Sequence, residues 1–349
     1  MIRTLLTLTS GLLAAALLIP ASAGQETSVP RELGAPQQGA APRPFLWKIE
    51  KGAASGYLLG TIHLPDDRAL DVPPSVSAAF EASGAFYAEI ETTPETELEV
   101  QRAALLPSGQ QLDRMVGAAT WGRIEARLAA AGLQPAFAAG MKRMKPWALG
   151  ATLPMLGYLP EMSAGKPPLD KLLFLRAQQA KKVVGGLETS AEQISAFEVF
   201  SEAEHVRMLE DALDELDRYE ADGRDLMEET LLAWLSGDPE RLLALMESGF
   251  GQDPELRERA AASLLWSRNL RMAERIDERM LAERCSFFAV GALHLPDAPL
   301  ERPAEGASPA TDRALVPPTF DAGEGHRAPK LGLVTLLRQR GYEVRRILR

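Results

Sequence analysis

Cysteine is nearly absent from this chain. Cys285 stands alone, so no intramolecular disulfide can brace the fold, even in an oxidising compartment. It opens an apolar run with no base beside it in sequence, which marks it as a small buried hydrophobe rather than a nucleophile. Positive charge is also short: 38 Lys and Arg against 48 Asp and Glu give a formal charge of −10. Phosphate backbones are held by clustered Lys and Arg, and no such face is visible, which argues against nucleic acid as a partner. The H-E-x-x-H helix, the G-x-x-x-x-G-K-[ST] loop and the G-x-S-x-G elbow are all missing. Zincin, P-loop and serine-hydrolase chemistry therefore have no motif to stand on. Histidine occurs only four times, as His63, His205, His294 and His326.

Two of those histidines sit in a repeat. Gly60-Thr61-Ile62-His63-Leu64-Pro65-Asp66 recurs near the other end of the chain as Gly291-Ala292-Leu293-His294-Leu295-Pro296-Asp297. Each copy follows an apolar run closed by Gly, the pattern of a buried strand that ends there. Gly, Pro and Asp suit a tight turn. Turn chemistry does not call for His at the same offset twice, and that recurrence marks a functional pair. Active sites in α/β sheets favour the C-terminal edge of the strands, where both histidines would fall.

The chain in order supports an exported protein. Residues 1–23 have the layout of a secretory signal: Arg3, an apolar run over 5–18, and Ala21-Ser22-Ala23 as a cleavage site. The run is short for a membrane-spanning helix, and no Cys near the cleavage site offers a lipoprotein anchor. The expectation is a periplasmic protein tied to the membrane only through its export signal. Residues 24–43, rich in Gly, Pro, Gln and Ala, read as a disordered linker. The folded domain is expected over 44–349, with 46% hydrophobic and 25% charged residues, an ordinary balance for a globular protein.

Strands are expected at 45–49 and 57–61, joined across Gly52-Ala53-Ala54-Ser55-Gly56, and at 85–91, where the run ends in carboxylates. Of these, Glu89 lies deeper than Glu91 and is the preferred site residue. Residues 92–282 are mostly helical. They contain a middle strand at 183–187 followed by Glu188, and a long helix at 254–281 carrying Arg268-Asn269. His205, among acidic neighbours, is expected at the surface. A further strand at 285–290 leads to His294. Residues 297–330 form a Pro-, Gly- and Ala-rich loop insertion, either a lid or a tolerated surface loop. A helix at 331–340 and a strand at 342–348 close the chain. The fold class is α/β or α+β, a mixed sheet built from N- and C-terminal strands around a large helical middle.

Several stretches together resemble the TraB/GumN family, related to the Tiki proteins and more distantly to erythromycin esterases and ChaN-like proteins. They are Leu59-Gly60-Thr61-Ile62-His63, Ala88-Glu89-Ile90-Glu91, Gly186-Leu187-Glu188-Thr189, Arg268-Asn269, Val290-Gly291-Ala292-Leu293-His294-Leu295, and Gly332-Leu333 with Gly341-Tyr342. Any one would be weak, but in this order they span nearly the whole mature chain. Two departures stand out. Glu89-Ile90-Glu91 replaces the usual Glu-Leu-Asp, and the insertion after His294 separates it from the Gly-Leu helix.

Two histidines and a carboxylate are the inventory of a divalent-metal site suited to Zn, Mn, Fe or Co. An ion held by His63, Glu89 and His294 would keep an open position where water becomes acidic enough to attack. Arg268 would stabilise oxyanion charge or hold a substrate carboxylate, with Glu188 and Asn269 as binding residues. The resemblance implies a metal-dependent hydrolase, because Tiki proteins are regarded as proteases acting on peptides. Three alternatives stay open. His63, oriented by Glu89, could act as a metal-free general base toward a small-molecule or peptide substrate. The same residues could also bind a ligand without turnover, or survive as a structural scaffold.

Overall fold

The computed structural model describes residues 43–248, 253–282, 285–297 and 330–348. The expected export signal, all but the last residue of the linker, and the interior of the 297–330 insertion lie outside the described residues.

Strands β1 (Leu46–Lys51) and β2 (Ala54–Thr61) form an antiparallel hairpin closed by Gly52-Ala53. Gly52 has φ of 60°, a left-handed conformation that costs glycine little. The turn therefore tightens to two residues, and β2 begins at Ala54 rather than at Tyr57. The sheet is completed by β3 (Ala85–Ala88), β4 (Val183–Gly186), β5 (Cys285–Gly291) and β6 (Glu343–Ile347). Its order is β4-β3-β5-β2-β1-β6. Strands β2, β5, β3 and β4 run in one direction, and β1 opposes both β2 and β6. This is the mixed α/β sheet that the pattern of apolar runs implied.

Insertion of β5 between β2 and β3 decides where the site lies. Gly60 pairs with Val290, and Thr61 with Gly291, so the two copies of the repeat leave the sheet side by side. Parallel strands covered on both faces carry apolar residues on both. Phe86 stacks on its register partner Phe287 at 5.9 Å, and Tyr87 on Phe288 at 5.5 Å, on alternate faces. Leu58, Phe86, Phe287, Phe288 and Val290 are fully buried. Among the described residues, no helix is long and apolar enough to cross a membrane.

Three expectations need correction. Strand β3 stops at Ala88, so Glu89 lies just past the strand rather than within it. There the backbone turns to pair with the chain after β4, Leu187 N–H donating to Ala88 O and Glu188 N–H to Glu89 O. The helix expected over 254–281 is Pro254–Ala261, a π-helical turn Ala262–Trp266, and helix Ser267–Ala282. A π turn widens the backbone locally, and here it comes immediately before Arg268. His205 is buried, not at the surface: its Nε2 lies 2.9 Å from Phe197 O, and its ring meets Phe200 edge-on. The acidic run breaks at Ser201, which forms a capping box with Glu204 and starts a separate helix. That break turns His205 back onto the preceding helix.

Gly60 is where the two repeats touch. A Cβ there would lie 2.6 Å from Leu295 Cδ1, 2.9 Å from Phe45 Cβ and 3.0 Å from Ala292 Cα. Trp234 Nε1 also donates to Gly60 O at 2.9 Å, fixing the backbone on its other side. Gly60→Ala is expected to destabilise the fold by about 1–3 kcal/mol through overpacking. Urea unfolding checks this, and an unchanged midpoint would show that the repeats do not abut at this residue.

Candidate active site

Four parallel strands deliver the site residues to one edge. His63 lies two residues past β2, Glu89 one past β3, Glu188 two past β4 and His294 three past β5. The fifth, Arg268, enters from helix Ser267–Ala282 and is 1% exposed. Its Nε donates to Glu188 Oε2 at 2.8 Å, its Nη2 to Glu89 Oε2 at 2.5 Å, and its Nη1 to Leu264 O at 3.1 Å. Arg268 thus bridges the carboxylates at the ends of β3 and β4. Arg271 adds a second cation, its Nη2 donating to Glu188 Oε1 at 3.1 Å.

Glu89 is held from every side. Oε1 accepts from Gly291 N–H at 2.6 Å, and Oε2 accepts from Gln193 Nε2 at 3.2 Å as well as from Arg268. Burial alone would raise its pKa, but the charges of His294, Arg268 and His63, with the Gly291 N–H, bring it down to about 2. Burial takes His294 itself down to about 3. That histidine gains its charge only in acid, so near neutral pH the permanent Arg268 guanidinium and the Gly291 N–H hold Glu89 ionised, and the charge of His294 adds to this hold only where both groups titrate.

The two histidines have different neighbours. His294 Nδ1 lies 2.6 Å from Asn269 Oδ1, while Asn269 Nδ2 donates to Leu331 O at 2.9 Å. The amide oxygen is thus the end facing the ring, so Nδ1 carries the hydrogen and donates it. Nε2 keeps a bare lone pair, buried without a hydrogen-bond partner and 3.6 Å from Glu89 Oε1. His63 Nδ1 lies 2.9 Å from Asp170 Oδ1. The two atoms make a close charge contact rather than an aligned hydrogen bond, and both His63 nitrogens are buried without a hydrogen-bond partner. Burial pulls the His63 pKa down, but Asp170 and Glu89 outweigh it, and the net direction is up.

Asp170 and Gln193 belong to this site and were not singled out from the sequence. Thr61, His63, Glu89, Asp170 and Gln193 line one small pocket together with Ile90. Lys166-Pro167-Pro168-Leu169-Asp170 does read as a helix start, but nothing along the chain ties its Asp to a histidine more than a hundred positions away. The carboxylate beside His63 is therefore Asp170, where Glu89 was expected. Glu91, the other carboxylate of the acidic run, is exposed. Arg268, Asn269 and Glu188 all reach the site.

A family model described as TraB/PrgY/gumN matches residues 45–299. The chain belongs to the TraB/PrgY/gumN family. It is similar to Metalloprotease TIKI1 of Danio rerio, 31% identical over 173 residues, which are 43% of this chain and 35% of the relative. Metalloprotease TIKI1 of Xenopus tropicalis is 25% identical over 293 residues, 72% of this chain and 57% of the relative. The Metalloprotease TIKI homolog of Nematostella vectensis is 25% identical over 298 residues, 72% of this chain and 62% of the relative. The chain thus spans between about a third and three fifths of these relatives. No solved structure gives a significant match.

The donor types, though not their present spacing, are those of a divalent-ion site. His294 Nε2, both His63 nitrogens, Asp170 Oδ1 and Thr61 Oγ1 are buried polar atoms without hydrogen-bond partners, and imidazole nitrogen with carboxylate oxygen suits Zn, Mn, Fe or Co. Among the described residues, no three of His, Cys, Asp and Glu converge closely enough to hold an ion as they stand.

Two outcomes test the electrostatics. Arg268→Met leaves Glu89 and Glu188 buried without their shared cation, and is expected to cost about 3–5 kcal/mol in chemical unfolding. A loss below about 1 kcal/mol would mean that other groups neutralise these carboxylates. His294 has a depressed folded pKa, so its contribution is complete above the unfolded value of 6.5 and is lost as pH falls toward about 3. Glu89 acts in the same direction from 4.5 down to about 2. His205 is also depressed by burial, and its contribution likewise declines as pH falls below 6.5. The comparison is therefore between wild type and His294→Gln, with melting temperatures followed from pH 6.5 to 4.5. The wild type should fall more steeply, and parallel curves would mean that His294 titrates normally.

Proposed function

We propose that this protein is an exported metal-dependent hydrolase acting on peptide or amide bonds. One observation carries the proposal: at the C-terminal edge of adjacent parallel strands, one repeat histidine, His294, lies 3.6 Å from Glu89 and the other, His63, lines the same small pocket as Glu89, which pairs with the buried Arg268. Similarity to proteins named metalloproteases supports the same chemistry and a peptide substrate. Export rests on the signal-like residues 1–23.

His63, His294 and Glu89 would hold the ion, which supplies Lewis acidity toward a carbonyl. The chain's own groups set the conditions for this. Arg268 and Gly291 N–H keep Glu89 anionic and fixed. Asn269 keeps Nε2 of His294 unprotonated. Asp170, beside His63, provides a group able to accept and return a proton through that ring. The same contact favours a second reading, in which His63 and Asp170 form a metal-free general-base pair.

The mature protein is expected to contain close to one Mn, Fe, Co or Zn per chain by elemental analysis, and to lose it in the His63→Ala, His294→Ala double variant. Cleavage of a mixed peptide library should stop with chelator and return when metal is restored. Cleavage that persists in metal-free protein would remove the metal from the mechanism and leave the His63–Asp170 pair as the base.

A further inference from the structure

We propose that Thr61, His63 and Asp170 hold the attacking water, so that the first copy of the repeat carries the nucleophile and the second does not. The proposal rests on the hydrolase reading above, in the form where His63 is the base. The two copies of the repeat differ at two positions. Ile62 against Leu293 exchanges one apolar residue for another, whereas Thr61 against Ala292 gives a hydroxyl to the first copy alone.

That hydroxyl belongs to a group of open atoms. Thr61 Oγ1, both nitrogens of His63 and Asp170 Oδ1 are buried without hydrogen-bond partners. Their three residues line one cavity of about 10 Å³, with Thr61 fully buried, His63 5% exposed and Asp170 9% exposed. Buried polar atoms are nearly always partnered, so three such side chains around one space indicate a polar occupant. Size decides which one. A single water needs about 10–15 Å³, and a peptide side chain or a hydrated ion needs more. Water also suits the lining, because it can donate to Asp170 and to a bare imidazole nitrogen while accepting from the Thr61 hydroxyl. Glu89 and Gln193 line the same cavity, but Gln193 Nε2 is engaged with Glu89, and both Glu89 oxygens already accept hydrogen bonds.

The second copy lacks these openings. His294 Nδ1 is held at 2.6 Å from Asn269 Oδ1, and its Nε2 alone stays open, 3.6 Å from Glu89 Oε1. Asp170 is kept in place by its helix, Leu169–Gln179, in which Leu169 and Phe174 are fully buried and Phe174 meets Phe86 of β3 edge-on at 6.2 Å. The reaction balances with water and peptide alone. A bare nitrogen of His63 takes one proton as the water oxygen bonds to the carbonyl carbon, and Asp170 faces the imidazolium so formed. When the C–N bond breaks, that proton leaves on the amine, giving one carboxylic acid and one amine.

The test uses crystals of the full mature protein and a peptide, drawn from a mixed library, that the wild type cleaves. Wild-type density should show one water within hydrogen-bond distance of Thr61 Oγ1, Asp170 Oδ1 and a His63 nitrogen. Thr61→Val, which keeps the side-chain shape without the hydroxyl, should lose that water. Its kcat should fall about 10- to 100-fold with KM changed less than about twofold, and Thr61→Ser should recover most of the rate. An aligned His63 Nδ1–Asp170 hydrogen bond with no water beside it would overturn the proposal. So would Thr61→Val cleaving at the wild-type rate, and the hydrolase reading survives either result. A wild type that cleaves no peptide, even with divalent metal added, overturns both the hydrolase reading and the catalytic use of this water. If Thr61→Val fails to fold, the wild-type density and the same split between kcat and KM in Asp170→Asn decide.

Discussion

A guanidinium removed from water needs its charge answered within hydrogen-bond distance, and the organisation of this protein follows from how Arg268 meets that demand. Desolvating it costs several kcal/mol, which only well-placed carboxylates can offset. Those carboxylates, Glu89 and Glu188, stand at the ends of neighbouring strands β3 and β4. Their spacing is set by the β3–β4 ladder, and the reach of Arg268 by the helix and the π turn that precede it. Glu89 then uses its other oxygen on Gly291 N–H, at the end of β5. A single buried charge cluster thus joins three strands and a helix, and assembly of the sheet and ionisation of the site are one process.

The repeat divides into structural and chemical parts. Asp66 caps helix Asp67–Leu70 by accepting from Arg68 N–H. Asp297 accepts from Gly332 N–H and from the Thr335 hydroxyl at the start of helix Leu333–Gln339. Both aspartates hold the first turn of a helix, consistent with their turn chemistry. Gly60 allows the two copies to abut. That leaves the histidines, which the turns do not need, facing the carboxylates. The outcome is two near-identical motifs in different electrostatic surroundings: the His63 pKa is raised beside Asp170, and that of His294 is depressed by complete burial.

Helix registers were harder to anticipate than strands. The apolar runs at β2, β3 and β5 are short and closed by Gly or by carboxylates, so their ends were visible within a few residues. The π turn before Arg268 was not, since its residues Ala262-Ser263-Leu264-Leu265-Trp266 read as an ordinary α-helix and the widening depends on packing. His205 was misplaced for a related reason. Its acidic neighbours suggested a solvated face, while the break at Ser201 that turns it inward shows only in the capping geometry.

The amino-acid sequence by itself determined the places of the strands to within a few residues, the recurrence of Gly-x-x-His, and Glu89 as the more buried of the two carboxylates in its run. These depend on local periodicity and turn chemistry, which neighbouring residues specify. It also indicated that distant segments share a site, because scarce histidines recurred in one pattern. Only the tertiary structure decided which groups face one another. Asp170 rather than Glu89 lies beside His63, Asn269 fixes the His294 ring, and Gln193 and Gly291 N–H complete the hold on Glu89. Such pairings join residues up to 202 positions apart. They arise from the placement of β5 between β2 and β3, and strand order is a property of the whole sheet that no single stretch of chain encodes.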